Sequence, residues 1–179
     1  MKTRKLLKKV MLIGLIGKSA TSLQVSKFLE KEFGFQRFEF RTRLGQIVKF
    51  AFDIDTATFE NEFDEVLPHV SKSPNQLMYE LDWAIRNINP KVFANDLQPV
   101  NHNIVVQDVH FVADVQRIHE LGGCIVRLRE KGSNVYEQVS PQLLSDYVLE
   151  MNLSSQDMEI GLGRILLLIQ QRKSKTTIA

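Results

Sequence analysis

The chain has a single cysteine, Cys124, in 179 residues, which excludes an internal disulfide and is the usage expected of a reducing compartment. No apolar run approaches the ~20 residues that a membrane-crossing helix needs. Neither sign of charge dominates: 23 Lys and Arg against 21 Asp and Glu leave a net charge of +2, so global electrostatics do not announce a nucleic acid. His69, His102, His110 and His119 show no H-x-x-x-H spacing, and one cysteine cannot complete a zinc site, so no metal is expected. There is no internal repeat and no low-complexity linker. What is present is ordinary for a globular protein, 44% apolar and 25% charged, and the length suits one domain over 1–179 with a substantial core.

The chain is organised around Val10 to Phe33. Val10 to Ile16 is a continuous apolar run bounded by glycine, the pattern of a strand covered on both faces. Gly17 to Gln24 reads as a turn, and Val25, Phe28, Leu29 and Phe33 then recur at helical spacing. Strand, glycine turn and helix is the setting of a phosphate-binding loop, whose signature is G-x-x-x-x-G-K-[ST]. GKSATSLQ at 17–24 keeps the first glycine only: Ser22 stands at the second glycine, Leu23 at the lysine and Gln24 at the Mg²⁺-binding hydroxyl. Gly17, Lys18, Ser19 and Ser22 are what remains of a nucleotide site.

Upstream, Lys2, Arg4, Lys5, Lys8 and Lys9 read as a solvated basic tail; contact with an acidic partner or a nucleic-acid backbone is the sharper alternative. The apolar run behind them is at the short limit for a signal peptide and leads straight into a charged helix. Downstream, Phe35 to Phe40 alternates as a strand, and Leu44 to Phe52 reads as a short helix. Asp53 to Ser73 is a lid-like insertion, with the Asp53-Ile54-Asp55 carboxylates in a solvated turn. Ser73-Pro74 opens a helix through Ile88, and Pro90 a shorter one through Leu97. Ile104-Val105-Val106 is a buried strand. Phe111 to Leu121 is a helix closed by Gly122-Gly123, and Cys124 to Leu128 is the next strand, making a parallel βαβ unit. Leu143 to Leu149 and Met158 to Gln171 are expected as helices, with a basic tail over 172–179. Trp83, Phe93 and Phe111 are expected to fill the core.

Four blocks in this order resemble the deoxynucleoside monophosphate kinases of phages and bacteria. They are LIGLIGKSATSLQVSKFLEKEFGFQRFEF (12–40), SPNQLMYELDWAIRNINPKVFANDL (73–97), NIVVQDVHFVADVQRIHELGGCIVRLRE (103–130) and, weakly, VSPQLLSDYVLE (139–150). The resemblance covers most of the chain and implies a three-layer α/β domain of the P-loop kinase class, with a mainly parallel sheet flanked by helices. It also places Asp108 at the family's acidic residue after the central strand, a candidate catalytic carboxylate that competes with a helix-capping role. Arg86 matches a family arginine, and Arg41, Arg43 and His110 complete what remains of the acceptor site. Other positions depart: His110 stands at an arginine, Ala113-Asp114 at Asn-Glu, Asn75 at the arginine expected to meet the monophosphate, Tyr79 at a glutamine, Asp82 at a glycine and Phe93 at a common tryptophan.

Phosphoryl transfer depends on positioning and on cations that stabilise the transferred group. Losses on both substrate sides imply a catalytically inactive relative acting as a structural or regulatory binding subunit, in the cytoplasm or, since the resembled kinases are common in viruses, as part of a virus particle. Its expected partner is a protein or a second copy, with no membrane, nucleic acid or cofactor. A divergent active kinase is the first alternative, taking ATP and Mg²⁺ and using Lys18 with Arg41 and Arg43. The second is a nucleotide sensor without catalysis, holding phosphate at the helix N-terminus.

Overall fold

The computed structural model describes residues 10–99, 101–131, 144–152 and 154–176. The basic tail expected over 1–9 and parts of the last block and C-terminal tail, 139–143 and 177–179, lie outside them. The chain forms two compact units, one made of 1–39 with 98–179 and the other of 40–97.

The first unit carries a sheet of β1 (Leu12–Ile16), β2 (Gln36–Phe38), β3 (Ile104–Val106), β4 (Cys124–Glu130) and β5 (Tyr147–Met151), in the order β2-β3-β1-β4-β5. Every pairing is parallel. β1 sits at the centre and all five of its residues are buried, which is why its sequence is apolar without alternation. Residues of β1 that point to one face, Ile13 and Leu15, share a core with Val25 and Leu29 of α1 (Ser19–Phe33) and with Leu162, Ile165 and Ile169 of α6 (Ser155–Thr176). On the other face, Gly14 lies under Ile118 of α5 (Val112–Glu120). Helices on both faces of a parallel sheet make the three-layer α/β, P-loop-like architecture expected.

Local chemistry sets the ends of these elements. Gly34, at φ +72°, closes α1 in the left-handed conformation that favours glycine, and Gly122, also at +72°, follows α5. The N-terminus of α5 is held by Asp114, whose carboxylate accepts the Phe111 N–H at 3.2 Å. Capping by Asp108 is therefore corrected: Phe111 is the cap position, and the supporting carboxylate comes from inside the first turn. The β3–α5–β4 unit is parallel as expected, but β1 lies between its strands.

Other expectations are also corrected. α1 begins at Ser19, so the turn expected to run to Gln24 ends far earlier, and Ser22, Leu23 and Gln24 are helical. Residues 147–149, expected in a helix, belong to β5; Leu149 and Met151 are buried and Val148 and Glu150 exposed, a period of two that only a strand satisfies. The backbone of 172–176, expected as a frayed tail, continues α6.

The second unit holds α2 (Thr42–Ala51), α3 (Thr56–Asn61), α4 (Pro74–Ile88) and a 3₁₀ turn at Ala94–Asp96. α4 starts where Ser73-Pro74 predicts: Ser73 Oγ accepts the Gln76 N–H at 3.2 Å, and Gln76 Oε1 accepts the Ser73 N–H at 2.9 Å. The segment 53–73 contains α3 and an antiparallel bridge between Leu67 and Lys72. Phe93 is fully buried, but Trp83 is half-exposed, a correction to its expected core role. It follows Asp82 by one position, about 100° round the helix from that buried carboxylate.

Candidate functional site

In a parallel α/β sheet, ligands bind beyond the carboxyl ends of the strands, where neighbouring connections leave to opposite faces. Here that point lies between β1, which leads into α1, and β3, which leads into α5. The carboxyl edge of the first unit gathers Gly17 and Lys18 after β1, Glu39 after β2, Gln107 and Asp108 after β3, and Glu130 at the end of β4.

Gly17, Lys18, Ser19 and Ser22, expected as the remnant of a nucleotide site, lie together at the β1–α1 junction, but without a wide loop. Gly17 and Lys18 alone separate β1 from α1, and the Ser22 N–H already bonds to the Lys18 carbonyl at 2.9 Å. Lys18 Nζ lies 3.8 Å from Glu130 Oε2. The other oxygen of the same carboxylate, Oε1, accepts the Thr21 hydroxyl at 2.5 Å. An internal carboxylate thus sits at the first turn of α1, where the helix dipole favours negative charge. Ser22, 1% exposed, has no hydrogen-bond partner for its hydroxyl among the described residues.

Beside this contact a second set of polar groups is joined. Ser26 Oγ, fully buried, lies 2.7 Å from Gln107 Oε1 and 2.9 Å from the Leu23 carbonyl, so its one proton serves one acceptor at a time. Gln107 Nε2 donates to Glu39 Oε1. Asp108 is half-buried and His110 exposed on the β3–α5 loop of the same edge.

Arg41, Arg43 and Arg86, the arginines expected at an acceptor site, lie in the second unit, where each meets an internal partner. Arg86 Nε donates to Asp82 Oδ1 at 2.7 Å, and its Nη1 donates to the Pro90 carbonyl at 3.3 Å. Arg41 Nε approaches Asp82 Oδ2 at 3.7 Å, a charge contact too long for a hydrogen bond. Arg43 pairs with Asp96 at 3.0 Å and donates to the Val92 carbonyl at 2.6 Å. The guanidinium carbons of Arg43 and Arg86 lie 5.3 and 5.2 Å from the centre of the Phe93 ring, within cation–π range. Arg86 is therefore held in a buried ion pair with Asp82. Asp82 supplies the carboxylate that meets both Arg86 and Arg41.

Sequence reasoning missed Glu130 as the partner of both Lys18 and Thr21, because nothing local joins residues this far apart in the chain. The Asp82–Arg86 pair did carry a signal, since opposite charges spaced i,i+4 face one another on a helix. Among the described residues no group of three His, Cys, Asp or Glu side chains is placed to hold a metal, and no helix is long and apolar enough to cross a membrane. No protein-family model matches the chain, and no curated protein matches it.

Proposed function

We propose that the chain is a non-catalytic relative of the deoxynucleoside monophosphate kinases that works by binding a protein partner, as a structural or regulatory subunit. The observation that carries this reading is the Glu130 carboxylate at the first turn of α1, paired with Lys18 and bonded to Thr21. An anion already held there repels an incoming triphosphate. The cation that remains near the loop is partnered by it, and the signature lysine position is Leu23. Transfer needs cations directed at the phosphoryl group. On the acceptor side, Asp82 takes Arg86 and Arg41 in the same way.

A binding role is further supported by apolar side chains left in solvent on the second unit. Phe50 is 92% exposed, and Tyr79, Trp83 and Ile88 are each at least half-exposed. Exposed aromatics of this size are characteristic of surfaces that meet another protein.

The test is a turnover assay with ATP, Mg²⁺ and the panel of deoxynucleoside monophosphates, on the intact chain and on Asp108→Ala. The expected result is no phosphorylated product from either protein. Turnover by the intact chain that disappears in Asp108→Ala overturns the reading and installs the divergent kinase in its place.

A further inference from the structure

We propose that Glu130 is a tethered anion that occupies the N-terminus of α1 and holds it closed against free oxyanions, an autoinhibitory contact that inorganic phosphate or pyrophosphate has to displace. The inference rests on reading the β1–α1 turn as a retired phosphate site, and it adds what now fills that site.

The first turn of α1 attracts negative charge because its backbone N–H groups have no partners within the helix. Lys18, directly before the helix, adds a full positive charge. Glu130 lies at this turn through two side-chain contacts: Oε1 accepts the Thr21 hydroxyl at 2.5 Å, and Oε2 faces Lys18 Nζ at 3.8 Å. Thr21 is buried, at 3% exposure, so its hydroxyl loses its bond to Glu130 at a cost unless another acceptor arrives.

A second observation points to the same place. The Ser22 hydroxyl is buried and has no hydrogen-bond partner among the described residues. It faces the Gly17 turn, with Oγ 3.6 Å from where a Cβ on Gly17 would stand. Buried hydroxyls are nearly always bonded, so an unmatched one under this turn marks polar capacity that Glu130 does not fill. A phosphoryl group carries more acceptor oxygens than a carboxylate. Tethering favours Glu130 all the same, because the end of β4 holds it beside the helix at high effective concentration.

Calorimetry with sodium pyrophosphate at fixed ionic strength tests this on the full chain, on Glu130→Ala and on Glu130→Gln. Removing the charge is expected to tighten pyrophosphate binding about ten-fold or more, within the ordinary range for coupled ligands. Adding Lys18→Ala to Glu130→Ala should abolish the gain. Glu130→Ala should also melt below the parent without pyrophosphate and recover as its concentration rises, since a ligand bound only to the folded state raises stability. A purely structural tie gives the loss without the recovery. If Glu130→Ala does not fold, Glu130→Gln supplies the comparison. Affinity in the folded variants equal to that of the parent overturns the proposal and leaves the non-catalytic reading standing. Turnover by the parent chain overturns that reading instead.

Discussion

Asp82 and Arg86 face each other across one turn of α4, 2.7 Å apart, with only 4% and 6% of their surfaces exposed. Such a pair is sensitive to the loss of either member, because the survivor is a buried charge stripped of its nearest partner. Asp82→Ala is expected to destabilise the protein by about 3–5 kcal/mol, the range for breaking a buried ion pair. Arg86→Ala should cost a similar amount, with the stacking on Phe93 lost as well. The double variant Asp82→Ala, Arg86→Ala should lose less than the sum of the two single losses, as a double-mutant cycle by urea denaturation would show. Additive losses would mean that the pair is not coupled.

Gly14 carries a different constraint, one of space. A Cβ at this position would stand 2.6 Å from Ile118 Cδ1 and 2.7 Å from Ile125 Cδ1, with Val109 Cγ2 at 3.0 Å. All these neighbours belong to the packed layer between the sheet and α5. Gly14→Ala is expected to destabilise by about 1–3 kcal/mol through overpacking. Pairing it with Ile118→Val should recover part of the loss in the same denaturation assay. No recovery would show that the clash is not at Ile118.

Asp55 gives a prediction in pH. Its carboxylate accepts the Thr58 hydroxyl at 2.7 Å and the Thr58 N–H at 2.9 Å, capping α3. These bonds favour the charged form and hold its pKa below the ordinary 3.8, the side-chain bond contributing most. A depressed carboxylate pKa means stabilisation that is complete above the unfolded value and lost as pH falls through the folded one. Carboxyl-detected NMR titration should find Asp55 below its usual range, and Thr58→Ala should move it back upward. An ordinary value in the parent protein would refute the cap.

The sequence by itself determined the elements whose signals are local. The all-apolar β1, the Ser73-Pro74-Gln76 start of α4 and the glycine after α5 each depend on neighbours a few residues away. Composition and spacing therefore sufficed. The missing loop lysine was legible for the same reason, since a signature is a string. β5 was misread because the apolar residues of 143–149 suit either period when the strand beside them is unknown.

Only the tertiary structure decided what became of the cations that remained. Lys18 meets Glu130 because β1 and β4 are neighbours in a sheet, and Ile16 is paired in register with Arg127 near the ends of those strands. Arg41 reaches Asp82 within the second unit, where α2 packs against α4. Charges act through space, and the short distances that make them matter arise only when strands and helices far apart in the chain are laid side by side.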